Sequence, residues 1–157
     1  MRFLLPSIWA FLSSVGFAIV FEIKKPKIIL ISSVIGGLGW LLFLLLEPYV
    51  SSVVRYFFAT IFITIMAEVA ARIWKAPTTV FLLPGIVPLV PGGGLYYCMS
   101  FLLDGDYASF AQKGIETAAY AGAIAAGVSI VTSLVRMIFW KRVLIPDRDK
   151  RYMKHNF

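Results

Sequence analysis

Seven helix-breaking residues fall within eleven positions of an otherwise apolar run: Pro84, Gly85, Pro88, Pro91, Gly92, Gly93 and Gly94, set in the stretch from Ala76 to Met99. Proline removes a backbone donor and glycine costs about 1 kcal/mol against alanine in a helix interior, so a continuous helix here would lose its ladder at several points. The surrounding residues are apolar enough for a bilayer, where a freed N–H or C=O is tolerated only inside protein or against a watery cavity. A broken membrane helix of this kind is expected to line a substrate or ion path. A packing kink is the simpler alternative, but one kink does not need seven such residues.

Composition assigns the class. Of 157 residues, 60% are apolar and 15% charged, and the mean hydropathy is +0.86. A soluble domain of this length would need more polar surface, so the chain reads as an all-α integral membrane protein with one membrane domain. The net charge of +7 is carried by residues that flank apolar spans, a membrane pattern and not a nucleic-acid-binding face. Cys98 is the only cysteine and reads as a small buried residue; with His155 the only histidine, far along the chain, no metal constellation or cofactor is indicated.

Five transmembrane helices are expected. Phe3 to Phe21 is the first span, read as retained because no small-x-small cleavage site accompanies it. Lys24, Lys25, Pro26 and Lys27 form a basic loop, and Ile28 to Leu46 is the second span, whose Ser32, Ser33, Gly36 and Gly37 invite close approach by another helix. Glu47, Pro48 and Tyr49 make a turn before the third span, Ser51 to Ile73, which carries Arg55 near its start and a Glu68–Arg72 pair at i,i+4 near its end. Trp74 and Lys75 fit an interfacial anchor. The fourth span, opened by Pro77, Thr78 and Thr79 and running to Leu103, is the broken one.

Asp104-Gly105-Asp106 signals a turn in a polar loop lasting to about Lys113. The fifth span, Gly114 to Trp140, carries two small-residue stripes, Ala118/Gly122/Ala126 and Ala119/Ala123/Gly127. Residues 1–140 thus form a five-span membrane domain and residues 141–157 a basic tail. With the first basic loop in the cytoplasm, every Lys and Arg except Arg2, Arg55 and Lys113 falls on the cytoplasmic side. The positive-inside rule then favours an N-terminus outside, a C-terminus inside, and a fourth segment that crosses and does not turn back.

The run from Pro77 to Tyr96, P-T-T-V-F-L-L-P-G-I-V-P-L-V-P-G-G-G-L-Y, with Gly105-Asp106 and a small-residue helix after it, resembles the C-terminal membrane half of the threonine/serine exporter family. Length and layout resemble the stand-alone small subunit of split exporters, related forms of which are associated with succinate export. The resemblance implies export of small hydrophilic metabolites across the bacterial inner membrane, in partnership with a larger membrane subunit.

Candidate substrate-binding residues follow from the break. A half-helix N-terminus offers N–H groups to a carboxylate and the opposite end offers carbonyls to a cation, so Pro84, Gly85, Pro88, Pro91, Gly92, Gly93 and Gly94 are the core candidates. Thr78, Thr79, Tyr96 and Tyr97 add hydroxyls, or serve instead as helix caps and interfacial aromatics. Glu68 and Glu116 are candidate proton carriers; the bland alternatives are an ion pair with Arg72 and a first-turn acid. No paired acid and base, nucleophile with a His partner, or phosphate loop argues for an enzyme. Two readings stay open: a transporter subunit whose broken helix lines the path, or a non-transporting assembly subunit that docks by its small-residue stripes. Either implies an oligomer, with the larger subunit or with further copies of the chain.

Overall fold

The computed structural model describes residues 3–143, in which all regular structure is helical. In order the elements are α1 (Leu4–Val20), α2 (Pro26–Leu45), α3 (Ser52–Ile73), α4 (Thr79–Ile86), a 3-10 turn (Val87–Leu89), α5 (Gly92–Leu103) and α6 (Tyr107–Val143). Helices α2, α3 and α6 are each long and apolar enough to cross a membrane, and the pair α4–α5, bent by 49°, passes the same test as one broken span. Helix α1, with 17 residues, is apolar but about 26 Å long, at the short limit of what a bilayer needs. Five spans are expected from sequence; length and composition support three, or four with the bent pair. The basic tail expected over 141–157 is helical as far as Val143, and the rest of it lies outside the described residues.

Local chemistry explains where the helices stop. Glu22 takes a left-handed conformation (φ 55°), which lets its N–H and that of Ile23 donate to the carbonyls of Ile19 and Ala18 at 2.9 and 3.1 Å. This double closure ends α1 before Phe21. Lys75 (φ 49°) does the same for α3, where the Ala76 N–H donates to the Ala71 carbonyl at 3.0 Å. Gly105 (φ 75°) ends α5, with Gly105 and Asp106 donating to Leu102 and Phe101 at 3.2 and 3.0 Å. Helix α2 starts on Pro26 because a proline in the first turn gives up an N–H that has no helical partner there anyway.

The start of α6 departs from the sequence expectation of a loop to Lys113. Asp106 Oδ1 accepts the Ser109 N–H at 3.1 Å and the Asp106 carbonyl accepts the Phe110 N–H at 3.0 Å, so the helix is capped and under way at Tyr107. Lys113 therefore sits on a helix, and Glu116, nearly three turns in, is not a first-turn acid.

Helix α2 is the hub, packed on α1, α3 and α4, while α6 packs on α3 and α5. Its small face is consumed inside the chain: Ser32, Ser33, Gly36 and Gly37 are all buried, with both hydroxyls donating back to the Ile29 carbonyl at 3.0 and 2.8 Å. Gly37 lets α2 close on Phe11 of α1, and Gly36 meets Ser14 of α1 and the Gly85 carbonyl of α4. Ile35, Ile63, Phe81 and Leu89 fill the core between these helices. On α6 the small stripes are buried only at Gly127, with Ala119 exposed and Ala123 half-buried. Gly127 is pressed on α3, where a Cβ would lie 3.1 Å from the Phe57 carbonyl, whereas Ala118, Gly122 and Ala126 are exposed.

Candidate functional site

Proline spacing dismantles the helix in a defined way. The residues four beyond Val80, Pro84 and Val87 are Pro84, Pro88 and Pro91, so each of those carbonyls loses its α-helical donor. Val87 recovers one bond, from the Val90 N–H at 3.0 Å, and the Val90 carbonyl takes the Gly92 N–H at 2.7 Å. Val90 itself is extended (φ −62°, ψ 125°), Pro91 takes the N-cap position, and α5 begins at Gly92. The first-turn N–H groups of a helix have no earlier helical carbonyl to bond, so α5 presents the donors of Gly93 and Gly94 at the bend.

The glycines there are not required by backbone angle, since among the described glycines only Gly105 has a positive φ. At Gly92 and Gly93 a Cβ would meet nothing within 4 Å, so bare backbone faces open space. Gly94 is different, because a Cβ there would lie 2.5 Å from Thr117 Oγ1 of α6. That contact draws the start of α5 against α6 one turn beyond Lys113.

The open space is a cleft of about 320 Å³, at the small end of ligand pockets. One wall is the break itself, with Pro88, Val90, Pro91, Gly92, Gly93, Gly94 and then Tyr97. The facing wall is α6, through Lys113, Glu116 and Tyr120, and Trp40 and Tyr56 close the side. Lys113 Nζ donates to Glu116 Oε2 at 2.8 Å and the Tyr120 hydroxyl donates to Glu116 Oε1, so the carboxylate has a partner on each oxygen. The Lys113 and Glu116 side chains keep 31% and 43% of their surface open, which leaves the pair reachable from the cleft.

A ladder of rings holds this wall in place. Trp40 stacks on Phe43 at 5.2 Å, Phe43 meets Tyr56 at 4.7 Å, and Tyr56 meets Tyr120 at 4.7 Å, joining α2, α3 and α6. Such pairs add about 0.5–1.5 kcal/mol each beyond the area they bury. Arg55 lies over the Phe43 ring at 4.8 Å and donates to Ser52 Oγ at 2.8 Å, behind the ladder and not in the cleft.

The sequence candidates thus separate. Pro88, Pro91, Gly92, Gly93, Gly94, Tyr97 and Glu116 come together around one cleft. Pro84 and Gly85 are buried in the packing of α4, where a Cβ on Gly85 would stand 3.4 Å from Ile35 and 3.5 Å from Ile63. Thr79 borders a separate small hollow with Phe21 and Leu83, and Thr78 occupies the N-cap position of α4 without a side-chain cap bond. Tyr96 is 70% exposed and does not border the cleft. Glu68 is elsewhere, paired with Arg72 at 3.2 Å, while Arg72 Nη1 also donates to the Glu68 carbonyl at 2.9 Å. Lys113, Tyr120, Trp40 and Tyr56 were not candidates. The i,i+3,i+7 spacing of Lys113, Glu116 and Tyr120 was the available signal, readable only once α6 is known to begin at Tyr107.

Among known proteins, the model of the threonine/serine exporter family ThrE matches residues 6–134, most of the chain. Comparison with curated proteins and with solved structures finds no match. Several apolar helices of crossing length, a span broken at prolines and glycines, and this match agree: the chain is a multi-pass membrane protein and belongs to the threonine/serine exporter family.

Proposed function

We propose that the chain is a membrane subunit of a secondary exporter that moves small hydrophilic metabolites, threonine and serine or a C4-dicarboxylate such as succinate, out across the bacterial inner membrane with a larger partner subunit. In this reading α1 is the first of five crossings and α4–α5 the bent fourth, with the N-terminus outside and the C-terminus cytoplasmic. The 49° bend supports a crossing, since a segment returning to its own side would reverse direction. The observation that carries the proposal is the cleft at the break, where bare backbone of Gly92 and Gly93 and a Lys113–Glu116 pair share one small volume.

A zwitterion or dianion must exchange hydration for other polar groups before it enters hydrocarbon. Helix-end donors, a cation, a carboxylate and tyrosine hydroxyls offer that exchange. The exposed Ala118, Gly122 and Ala126 stripe on α6 supports a docking surface for the larger subunit, because small residues let a further helix approach closely and among the described residues nothing lies within 4 Å of a Cβ at Gly122.

Single cysteines at positions 84 to 94, in a Cys98→Ala background, test the path. Reaction with a soluble thiol reagent at 88 and 91 to 94, slowed by L-threonine or succinate, is the expected result. Equal labelling with and without substrate would instead favour a non-transporting assembly subunit, docked by the same α6 stripe.

A further inference from the structure

The cleft carries one fixed cation and one fixed anion, and they face the same volume from adjacent turns of α6. Their net charge is zero, and the remaining polarity comes from tyrosine hydroxyls and from the N–H groups of the first turn of α5. Resting on the exporter reading above, we propose that Lys113 and Glu116 read the charge of the substrate and that Glu116 sets its selectivity. In the structure the two close on each other at 2.8 Å; a substrate opens the pair, its carboxylate going to Lys113 Nζ and the N–H groups of Gly93 and Gly94, its ammonium going to Glu116.

Three observations support this division. The pair is half-open, so a solute reaches both groups without unfolding α6. Gly94 packed on Thr117 puts the first turn of α5 beside the Lys113 turn, so the helix-end donors and the ammonium act on the same side of the solute. Tyr120, which donates to Glu116, is fixed by Tyr56, so the carboxylate stays aimed when Lys113 lets go. Opening the pair exchanges one ion pair for two only when the solute carries both charges. A dianion leaves Glu116 facing a second carboxylate, and like charges in a site of low dielectric are penalised. Glu116 is thus the group that discriminates a zwitterion from a dicarboxylate.

The test uses inside-out membrane vesicles from cells whose chromosomal copy carries each variant, so that the full chain is present with whatever it assembles with. Uptake of labelled L-threonine and of labelled succinate is measured side by side, and their ratio does not depend on how much folded protein each variant leaves. Glu116→Gln makes the cleft net positive and should lower the threonine-to-succinate ratio by about tenfold. Lys113→Gln makes it net negative and should move the ratio the other way while weakening both, and Glu116→Asp should keep the ratio of the unaltered chain. A ratio that stays within twofold in both Gln variants would overturn the proposal, as would loss of both substrates in parallel in both, which marks a pair that only holds the helix. A different failure, vesicles of the unaltered chain that match vesicles lacking it for both solutes, would sink the exporter reading itself.

Discussion

Gly94 of α5 lies against Thr117 of α6 so closely that a Cβ at position 94 would stand 2.5 Å from Thr117 Oγ1 and 3.1 Å from its Cγ2. This contact sets the width of the cleft, since Lys113 is one turn from Thr117 and receives its hydroxyl bond at 2.7 Å on the backbone carbonyl. Gly94→Ala should therefore destabilise the chain by about 1–3 kcal/mol through overpacking. Removing the obstructing atoms with Thr117→Ala should return part of that loss. Thermal melts of the two single variants and the double variant in one detergent check it; additive losses would mean the contact is not the cause.

Gly36 and Gly85 meet at the crossing of α1, α2 and α4, yet they differ in tolerance. A Cβ at Gly36 would clash with Ser14 Oγ and lie 3.1 Å from the Gly85 carbonyl, while a Cβ at Gly85 finds only ordinary contacts from 3.4 Å outward. Gly36→Ala should cost about 1–3 kcal/mol. Gly85→Ala should be neutral or stabilising by up to about 1 kcal/mol, because alanine is the better helix former. Melting temperatures measured in parallel distinguish the two, and equal losses would contradict the packing described.

Glu22 and Lys75 end their helices in a conformation that side chains disfavour. Glycine bears no such cost, so Glu22→Gly and Lys75→Gly should each raise stability by about 1 kcal/mol if the closing turns are as described. Heat denaturation monitored by helix content reads the effect, and a drop for both variants would argue against these turns.

Asp106 accepts the Ser109 N–H at the start of α6, and hydrogen bonding from the Ser109 hydroxyl, then from its N–H, holds its carboxyl below the ordinary value of 3.8. A lowered folded value means that the contribution is complete above the ordinary value and fades as pH falls through the lower one. The stability gap between the unaltered chain and Asp106→Ala should therefore narrow in acid. Melts from neutral pH down to about 2 check the trend, and a gap that widens in acid would reverse the sign assigned here.

Glu68 is satisfied by Arg72 and does not border the cleft. An i,i+4 ion pair on a helix contributes about 0.5 kcal/mol or less, so Glu68→Gln, which keeps the side chain's shape, should leave both stability and the pH profile of export nearly unchanged. A displaced profile would return Glu68 to the coupling role.

Much was legible in order along the chain. Apolar length identified the spans of α2, α3 and α6, while α1 falls short of the length test; Pro84 to Gly94 marked the break because a missing donor acts locally, whatever lies around it. The run Pro77 to Tyr96 carried the family resemblance, and the family match agrees with it. Sequence reading went astray where a cap outweighed polarity: the stretch up to Lys113 looks like loop, yet the Asp106 cap starts α6 at Tyr107. Sequence alone could establish that a helix breaks and that backbone is freed, since those follow from covalent geometry. Which residues face the freed backbone was decided by tertiary packing. Only the approach of α5 to α6 at Gly94 and the ring ladder from Trp40 to Tyr120 bring Lys113 and Glu116 to the break, and such contacts between residues distant in the chain leave no local pattern to read.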